Sequence, residues 1–470
     1  MNISGGGRAE DRATAASSPR ARRAAGILAA GTALAVAAAA AACAPDRAQS
    51  ADRPDAALPA VRVTDHTYEV PQPLAPAAPG SLIAASEKGP APQLGDARRW
   101  TVLYHSATSR GADTAVSGTL LLPNGTPPTG GWPVVSWAHG TTGVADKCAP
   151  SHTANLGYNA YAQELRALVR AGYAVAATDY AGLGTPGMHT YLVGPDEGNA
   201  VVDIVTAARK LLPGLSPTWF ALGHSQGGQA ALFAANAAHR APGLRFGGSV
   251  AIAPASHLET MLPGVIASHV SSELSFALYS LAGLSASDPS VDLRRMLGPV
   301  AGRTAARVLG ECLRSSYGVL KGVSTEQTLP FNREQLAELG GKMGAYGDPD
   351  RAAIKSPVLV IQGGADQDVP PQWTAEVVGR LRALGSPSVV DRVYPAGDHD
   401  QVLGESICDL LSFLAAHGGR PAAACTPYHT DLGLGRGSPP RYRAPRGSLA
   451  VQRPGTITFL PEPFKGTGID

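Results

Sequence analysis

The residues whose spacing carries the most chemistry are Gly223-His224-Ser225-Gln226-Gly227. A serine flanked by glycines two positions away on each side is the pattern of a nucleophile set on a sharp strand-to-helix turn. The glycines are expected to permit a strained turn that lifts the Ser225 hydroxyl clear of its sheet. Trp219-Phe220-Ala221-Leu222 reads as the buried strand before it, and 229–238 as an Ala-rich helix after it. The bland alternative is a glycine-rich turn without a catalytic role. A serine hydroxyl needs a base to take its proton, and the base needs an acid to orient it. With such an elbow the acid and then the base follow the serine along the chain. The apolar run 358–361 leads into Gly363-Gly364-Ala365-Asp366-Gln367-Asp368, which offers Asp366 as the acid and Asp368 as its rival. The next run, 389–393, leads into Gly397-Asp398-His399, which offers His399 as the base. His224 sits on the elbow itself and is badly placed to serve as base, and Asp398 is expected to shape the His399 loop. A tetrahedral oxyanion also needs donors. The backbone N–H of Gln226 is one, and Thr141, in Ala138-His139-Gly140-Thr141-Thr142-Gly143 directly after the run 133–137, is expected to supply the other. Together these groups would perform covalent acyl transfer through an acyl-enzyme.

Groups so far apart in sequence need a scaffold that brings strand ends together. Strand-like runs lie at 100–104, 119–122, 133–137, 173–178, 219–222, 248–252, 358–361 and 389–393. Helix-like stretches lie near 158–171, 197–212, 227–239, 373–384 and 404–417. Several strand runs are unbroken and β-branched, as strands covered on both faces require. The alternation predicts an α/β fold, a mostly parallel sheet flanked by helices. It breaks between about 256 and 350, where helices such as 273–281 and 305–320 follow one another without a strand. An insertion there lies over the carboxyl ends of the strands, where open sheets bind ligands. It reads as a helical cap placed before the strand that carries the acid, inside a domain spanning 61–429.

The ends read differently. Arg20, Arg22 and Arg23 precede the uncharged, mostly alanine stretch 24–42, the layout of a signal peptide over 1–42. A retained spanning helix is the alternative, but alanine is only weakly apolar. Cys43 follows Ala40-Ala41-Ala42 and is similar to a bacterial lipoprotein processing site, except that Ala40 stands where leucine is usual. Lipidation of Cys43 and plain cleavage at an A-x-A site both stay open. Residues 43–60 read as a tether, and 430–470 as a Pro/Gly/Arg-rich tail. With Cys43 set aside, Cys148, Cys312, Cys408 and Cys425 remain. In an exported chain they allow two disulfides in three pairings, or buried free thiols.

Composition narrows the function classes. The chain has 470 residues, 39 basic and 37 acidic, for a formal net charge of +2. The five arginines and two acids of 1–42 account for that surplus, and the remainder carries a net charge of −1. No basic concentration suggests a nucleic-acid partner. No His/Cys/acid cluster has zinc spacing, and no phosphate-binding Gly-rich loop appears, so no metal or cofactor is expected.

The chain resembles the secretory lipases of fungi and actinobacteria, a branch of the α/β-hydrolases, over about residues 65–428. The resemblance rests on His139-Gly140-Thr141-Thr142-Gly143, Cys148-Ala149-Pro150-Ser151, Thr178-Asp179-Tyr180 with Gly182-Leu183-Gly184, the Ser225 elbow and Gly397-Asp398-His399. It implies cleavage of fatty-acyl esters by a Ser–Asp–His triad under a helical cap. It also implies cysteines paired in sequential order, Cys148–Cys312 and Cys408–Cys425. Cys43 and the Arg/Pro tail depart from the family pattern. An exported lipase or carboxylesterase is the leading expectation, with membrane contact through a lipid anchor or the cap. The same triad could serve an acyltransferase or a peptidase. A surface-tethered binding protein that kept the fold without the chemistry is the third reading.

Overall fold

The computed structural model describes residues 67–422 and 424–430. Cys43, the expected signal peptide and tether, and the tail beyond Thr430 lie outside them. Among the described residues, nine strands form one sheet. They are β1 (Leu82–Lys88), β2 (Arg98–Ala107), β3 (Asp113–Leu122), β4 (Trp132–Ala138), β5 (Ala174–Thr178), β6 (Leu215–His224), β7 (Arg245–Ile252), β8 (Val358–Gly363) and β9 (Val389–Tyr394). Their spatial order is β1-β2-β3-β5-β4-β6-β7-β8-β9. The pairs from β1 to β5 are antiparallel, and every pair from β5 through β4 to β9 is parallel. All eight expected runs are strands. β1 is not legible in the sequence because its apolar run, Leu82-Ile83-Ala84-Ala85, is half alanine and passes into Ser86 and the charged Glu87 and Lys88. As an edge strand it pairs on one side only, so it needs no fully apolar run.

Strand alternation builds two cores on opposite faces of the sheet. Val135 and Trp137 of β4 and Phe220 and Leu222 of β6 join Leu165 and Leu168 of α1 (Asn159–Arg170). Ile407, Leu410 and Leu414 of α11 (Gln401–Ala416) complete that side. Val134, Trp219 and Ala221 point the other way. They pack on α2 (Gly194–Leu211) and α3 (Gln226–Ala237). α10 (Pro371–Ala383) covers β7 and β8 through Val377, Val378 and Leu381. Both faces of the central parallel strands are thus covered, which is why their sequences read as unbroken apolar runs, whereas the edge strand β9 is mostly exposed and carries Asp391 and Arg392.

Between β7 and β8 lie α4 (Leu258–Ser268), α5 (Leu274–Ser287), α6 (Leu293–Leu309), α7 (Leu313–Leu320), α8 (Thr325–Thr328) and α9 (Arg333–Gly347), with a core of their own. The expected helix over 305–320 is in fact two. The break is Gly310-Glu311-Cys312, and Cys312 takes an extended conformation (φ −73°, ψ 157°). The reason is tertiary. Cys312 is disulfide-bonded to Cys148 and bridges Gly143, while the Leu313 N–H donates to the Thr142 carbonyl at 2.9 Å. A continuous helix could not present these groups to the loop after β4.

Both disulfides expected from the family resemblance are present, Cys148–Cys312 and Cys408–Cys425. The first closes a separation of 164 residues and the second one of 17. Loop-closure entropy predicts that replacing the first pair by serines costs about 5 kcal/mol and the second about 3. Urea midpoints of the two double variants check this, and equal losses would contradict the entropic account.

Candidate active site

Ser225 occupies the turn from β6 into α3, with φ 60° and ψ −119°. Its N–H donates to the Ile252 carbonyl at 2.9 Å, and its own carbonyl accepts from Gln229 and Ala255, both at 3.1 Å. These bonds hold a non-glycine residue in a disfavoured conformation, as functional sites do. The strain falls on the serine itself and not on the glycines that permit the turn. Gly223 and Gly227 are absent from the residues with positive φ. They are needed for close approach. A Cβ on Gly223 would come within 2.1 Å of the Gly227 carbonyl oxygen, and one on Gly227 within 1.8 Å of the Ala138 oxygen. The elbow therefore nests α3 against the end of β4, the strand that leads into the Thr141 loop.

His399 follows β9, and Asp366 follows β8. The His399 Nδ1 lies 2.8 Å from Asp366 Oδ2. Asp366 is itself held. Its Oδ1 accepts from the N–H groups of Asp368 and Val369, both at 2.9 Å, and its Oδ2 from the Gln362 amide at 2.8 Å. Burial alone would raise the Asp366 carboxyl. The His399 charge and these hydrogen bonds outweigh it and leave the group below the usual carboxylate range. Burial likewise opposes the charged form of His399, but Asp366, with Asp368 and Asp400 behind it, holds the imidazole above its ordinary value. Asp368 is exposed and contributes its backbone N–H to Asp366, so Asp366 is the residue paired with His399. The Asp398 carboxylate accepts from the N–H groups of Asp400 and Gln401 at 3.0 and 2.8 Å, which fixes the turn after His399. Asp366, Asp368 and His399 could also be viewed as a metal-ligand cluster. The ring nitrogen that faces the acids, however, is already engaged with Asp366.

Ser225, His399 and Thr141 all line one cavity of about 910 Å³. Thr141 is buried, and its hydroxyl lies 2.6 Å from that of Tyr191. The N–H of the neighbouring Gly140 donates to the Tyr161 hydroxyl at 3.1 Å. A Cβ on Gly140 would meet that oxygen at 2.2 Å and the Ser225 Cβ at 3.3 Å. The loop thus lies against Ser225, and only glycine fits there. Gln226 opens α3, where unpaired backbone N–H groups and the helix dipole favour an anion. Its side-chain amide bonds Glu197 Oε1 at 2.7 Å and His189 Nε2 at 3.0 Å. Burial pushes Glu197 up to about 8 and His189 down to about 3, so both are neutral near pH 7. Protonation of Glu197 lessens the negative charge beside Gln226.

His224 is fully buried, and burial takes it down to about 3. A neutral ring with a proton on Nε2 accounts for its contacts. Nε2–H donates to the His399 carbonyl at 2.8 Å, and Nδ1 accepts from the Tyr161 hydroxyl at 3.1 Å. His224 is therefore no base for Ser225. Instead, Gly140, Tyr161, His224 and His399 form a hydrogen-bonded chain that ties the Thr141 loop to the His399 loop. Tyr161→Phe strands the Gly140 N–H and the His224 Nδ1. It is expected to cost about 1–3 kcal/mol, read from denaturation midpoints. No measurable change would show that the chain bears no weight.

Tyr161, Tyr191, His189, Glu197 and Gln362 escaped sequence reasoning. They come singly from helices, loops and the end of β8 without local motifs, and only the folded chain brings them to the site. The Asp179 motif has a structural account. Its carboxylate accepts from Ser117 Oγ at 2.7 Å, from the Ser151 N–H at 2.9 Å and from the Ser151 hydroxyl, which joins the loop after β5 to the Cys148 segment.

The model of the secretory lipase family matches residues 149–314. The match runs from just after Cys148 through the elbow into the cap, and it bears out the resemblance read from the motifs. No curated protein sequence matches the chain. Among solved structures, lipase A of Candida antarctica in its closed state is similar, with a TM-score of 0.64 and 19% identity. That alignment covers 77% of this chain and 87% of the other. A ligand-bound form of the rice cell wall degrading esterase LipA from Xanthomonas oryzae gives a TM-score of 0.56 at 19% identity. It covers 69% of this chain and 93% of that one. The fold is that of the α/β-hydrolases.

Proposed function

We propose that the protein is an exported serine hydrolase of carboxylic esters, a lipase or carboxylesterase. The observation that carries this reading is the shared cavity. Ser225 on its strained elbow, His399 paired with Asp366, and Thr141 line one cavity together with residues of the cap. In this reading His399 takes the Ser225 proton as the oxygen attacks the ester carbonyl. The backbone N–H groups of Gln226 and Thr141 hold the oxyanion. His399 then returns the proton to the leaving alcohol. Water, deprotonated in turn by His399, releases the acid and restores Ser225.

Fatty-acyl esters, triacylglycerols among them, are the substrates favoured by the cavity's apolar side, where Leu258, Met261, Val265, Phe276 and Leu313 stand. Export is supported by the two disulfides and by the signal-like N-terminus. No helix of the described residues is long and apolar enough to cross a membrane, and lipidation of Cys43 would give an anchor of another kind. Purified protein should hydrolyse p-nitrophenyl esters across a chain-length series, and an alkyl phosphonate should label Ser225, as mass spectrometry would reveal. Labelling elsewhere, or no turnover at any chain length, would reject the reading. Transesterified product on adding an acceptor alcohol would identify an acyltransferase instead.

A further inference from the structure

The hydroxyls of Thr141 and Tyr191 form a pair at the wall of the cavity. Both residues are buried, and both line it. The two oxygens lie 2.6 Å apart, and among the described residues neither hydroxyl has a second hydrogen bond. One bond between two hydroxyls uses one proton and leaves the other over. A phenol is the more acidic of the two, and its oxygen, conjugated with the ring, is the poorer acceptor. Tyr191 therefore donates to Thr141 Oγ1, and the proton left over is the one on Thr141. The rest of Thr141 is already fixed. Its carbonyl accepts from the Tyr158 hydroxyl at 2.8 Å, and Gly140 before it lies against Ser225.

Tyr191 is held from three directions. Its ring stands edge-on to those of His189 and Tyr279, with centroids 6.0 and 5.9 Å away. Gly283 of α5 lies against its backbone, where a Cβ would come within 2.4 Å of the Tyr191 carbonyl oxygen. Leu192 follows with φ 58°, a conformation disfavoured for a non-glycine residue, and its N–H donates to Glu197 Oε1 at 2.9 Å. The same oxygen accepts from the Gln226 side chain at 2.7 Å. Glu197 thus ties the Tyr191 turn to the start of α3. Donors fixed before the reaction cost no reorganisation when charge develops, and a site without water raises their worth. Accepting from Tyr191 also polarises the Thr141 O–H and strengthens the bond it donates.

We propose that the Thr141 hydroxyl is a third donor to the oxyanion, beside the backbone N–H groups of Thr141 and Gln226, and that Tyr191 is the residue that positions it. The inference rests on the ester-hydrolase reading and deepens it. The carbonyl oxygen of a bound ester carries little charge and gains little from the extra donor. The tetrahedral oxyanion gains much more, so the effect falls on kcat and spares KM.

Thr141→Val keeps the backbone N–H and the branched shape and removes the hydroxyl. Its kcat toward p-nitrophenyl butyrate is expected to fall about a hundredfold with KM nearly unchanged, and Thr141→Ser should restore most of the rate. Tyr191→Phe should lower kcat about tenfold in the wild type and by nothing further in the Thr141→Val background, where no hydroxyl is left to orient. A Tyr191 that merely anchored the cap would cost the same in both backgrounds. Urea midpoints establish folding, and Thr141→Ala, which also lacks the hydroxyl, takes the place of Thr141→Val if the valine variant does not fold. If the folded variant without the hydroxyl keeps kcat within about threefold of the wild type, the third donor is overturned while hydrolysis by Ser225 stands. The same holds if Tyr191→Phe costs as much kcat without the Thr141 hydroxyl as with it. If the wild type itself neither turns over the ester nor is labelled at Ser225 by a phosphonate, the hydrolase reading falls as well.

Discussion

Ser225→Ala is expected to reduce kcat toward p-nitrophenyl esters by about a millionfold, since losing the nucleophile of a triad costs nearly as much as losing the whole triad. The folded state has little at stake. The backbone of residue 225 makes the bonds to Ile252, Gln229 and Ala255, and alanine keeps all three. Relief of the positive φ is not available to alanine either, so stability should change little. Thermal unfolding and single-turnover kinetics, measured on the same preparation, separate the two effects. A variant that is fully folded and retains the wild-type burst of p-nitrophenol would remove Ser225 from the mechanism.

Asp366→Asn tests the second member and carries a sign. Burial alone depresses the His399 imidazole, and the Asp366 carboxylate reverses this, so its value stands above the ordinary one. A general base works only when unprotonated. The kcat/KM of the wild type should therefore rise with pH through a limb that lies above 6.5, the ordinary histidine value. Asparagine has similar size but no charge. Without the charge, burial prevails and the limb moves to lower pH. The maximal rate nevertheless falls, by about four orders of magnitude, because the carboxylate no longer fixes the ring tautomer or stabilises the imidazolium formed as Ser225 attacks. A loss of rate with an unmoved limb would mean that Asp366 holds a loop and does not act on His399. The neighbouring Asp368→Asn change removes a more distant charge and should shift the limb by less.

The candidate site was readable to the extent that its members are strand-end residues in strongly patterned turns. Ser225 and Asp366 follow apolar runs, and His399 follows the valine-rich edge strand β9. The turn residues around them (Gly223 and Gly227, Gly363-Gly364, Gly397-Asp398) are of the types that sharp connections require. The preference for Asp366 over its rival Asp368 had no physical ground in the sequence alone. Two acids two positions apart differ only in which one receives the Val369 N–H and the Gln362 amide, and both donors are placed by folding. The cap shows the same limit. Its existence follows from helices where a strand was due. Its break at Gly310-Glu311-Cys312 depends on a disulfide and a β-bridge to residues more than 160 positions earlier.

By itself the sequence determined the α/β class, the order in which Ser225, Asp366 and His399 follow strands along the chain, and the helical insertion between two strands of the sheet. All of these are written in local periodicity and in turn chemistry, which act over a few residues. The tertiary structure alone decided three further matters. It placed the backbone strain on Ser225 and turned the elbow glycines into contact points for Ala138. It made His224 a neutral link between Tyr161 and His399, with its second nitrogen engaged and its charge excluded by burial. It also gathered Glu273, Asp368, Asp398 and Asp400 around the cavity that holds Ser225. Each of these depends on distances between residues far apart in sequence. Steric exclusion, desolvation and charge act through space, and no pattern along the chain encodes them.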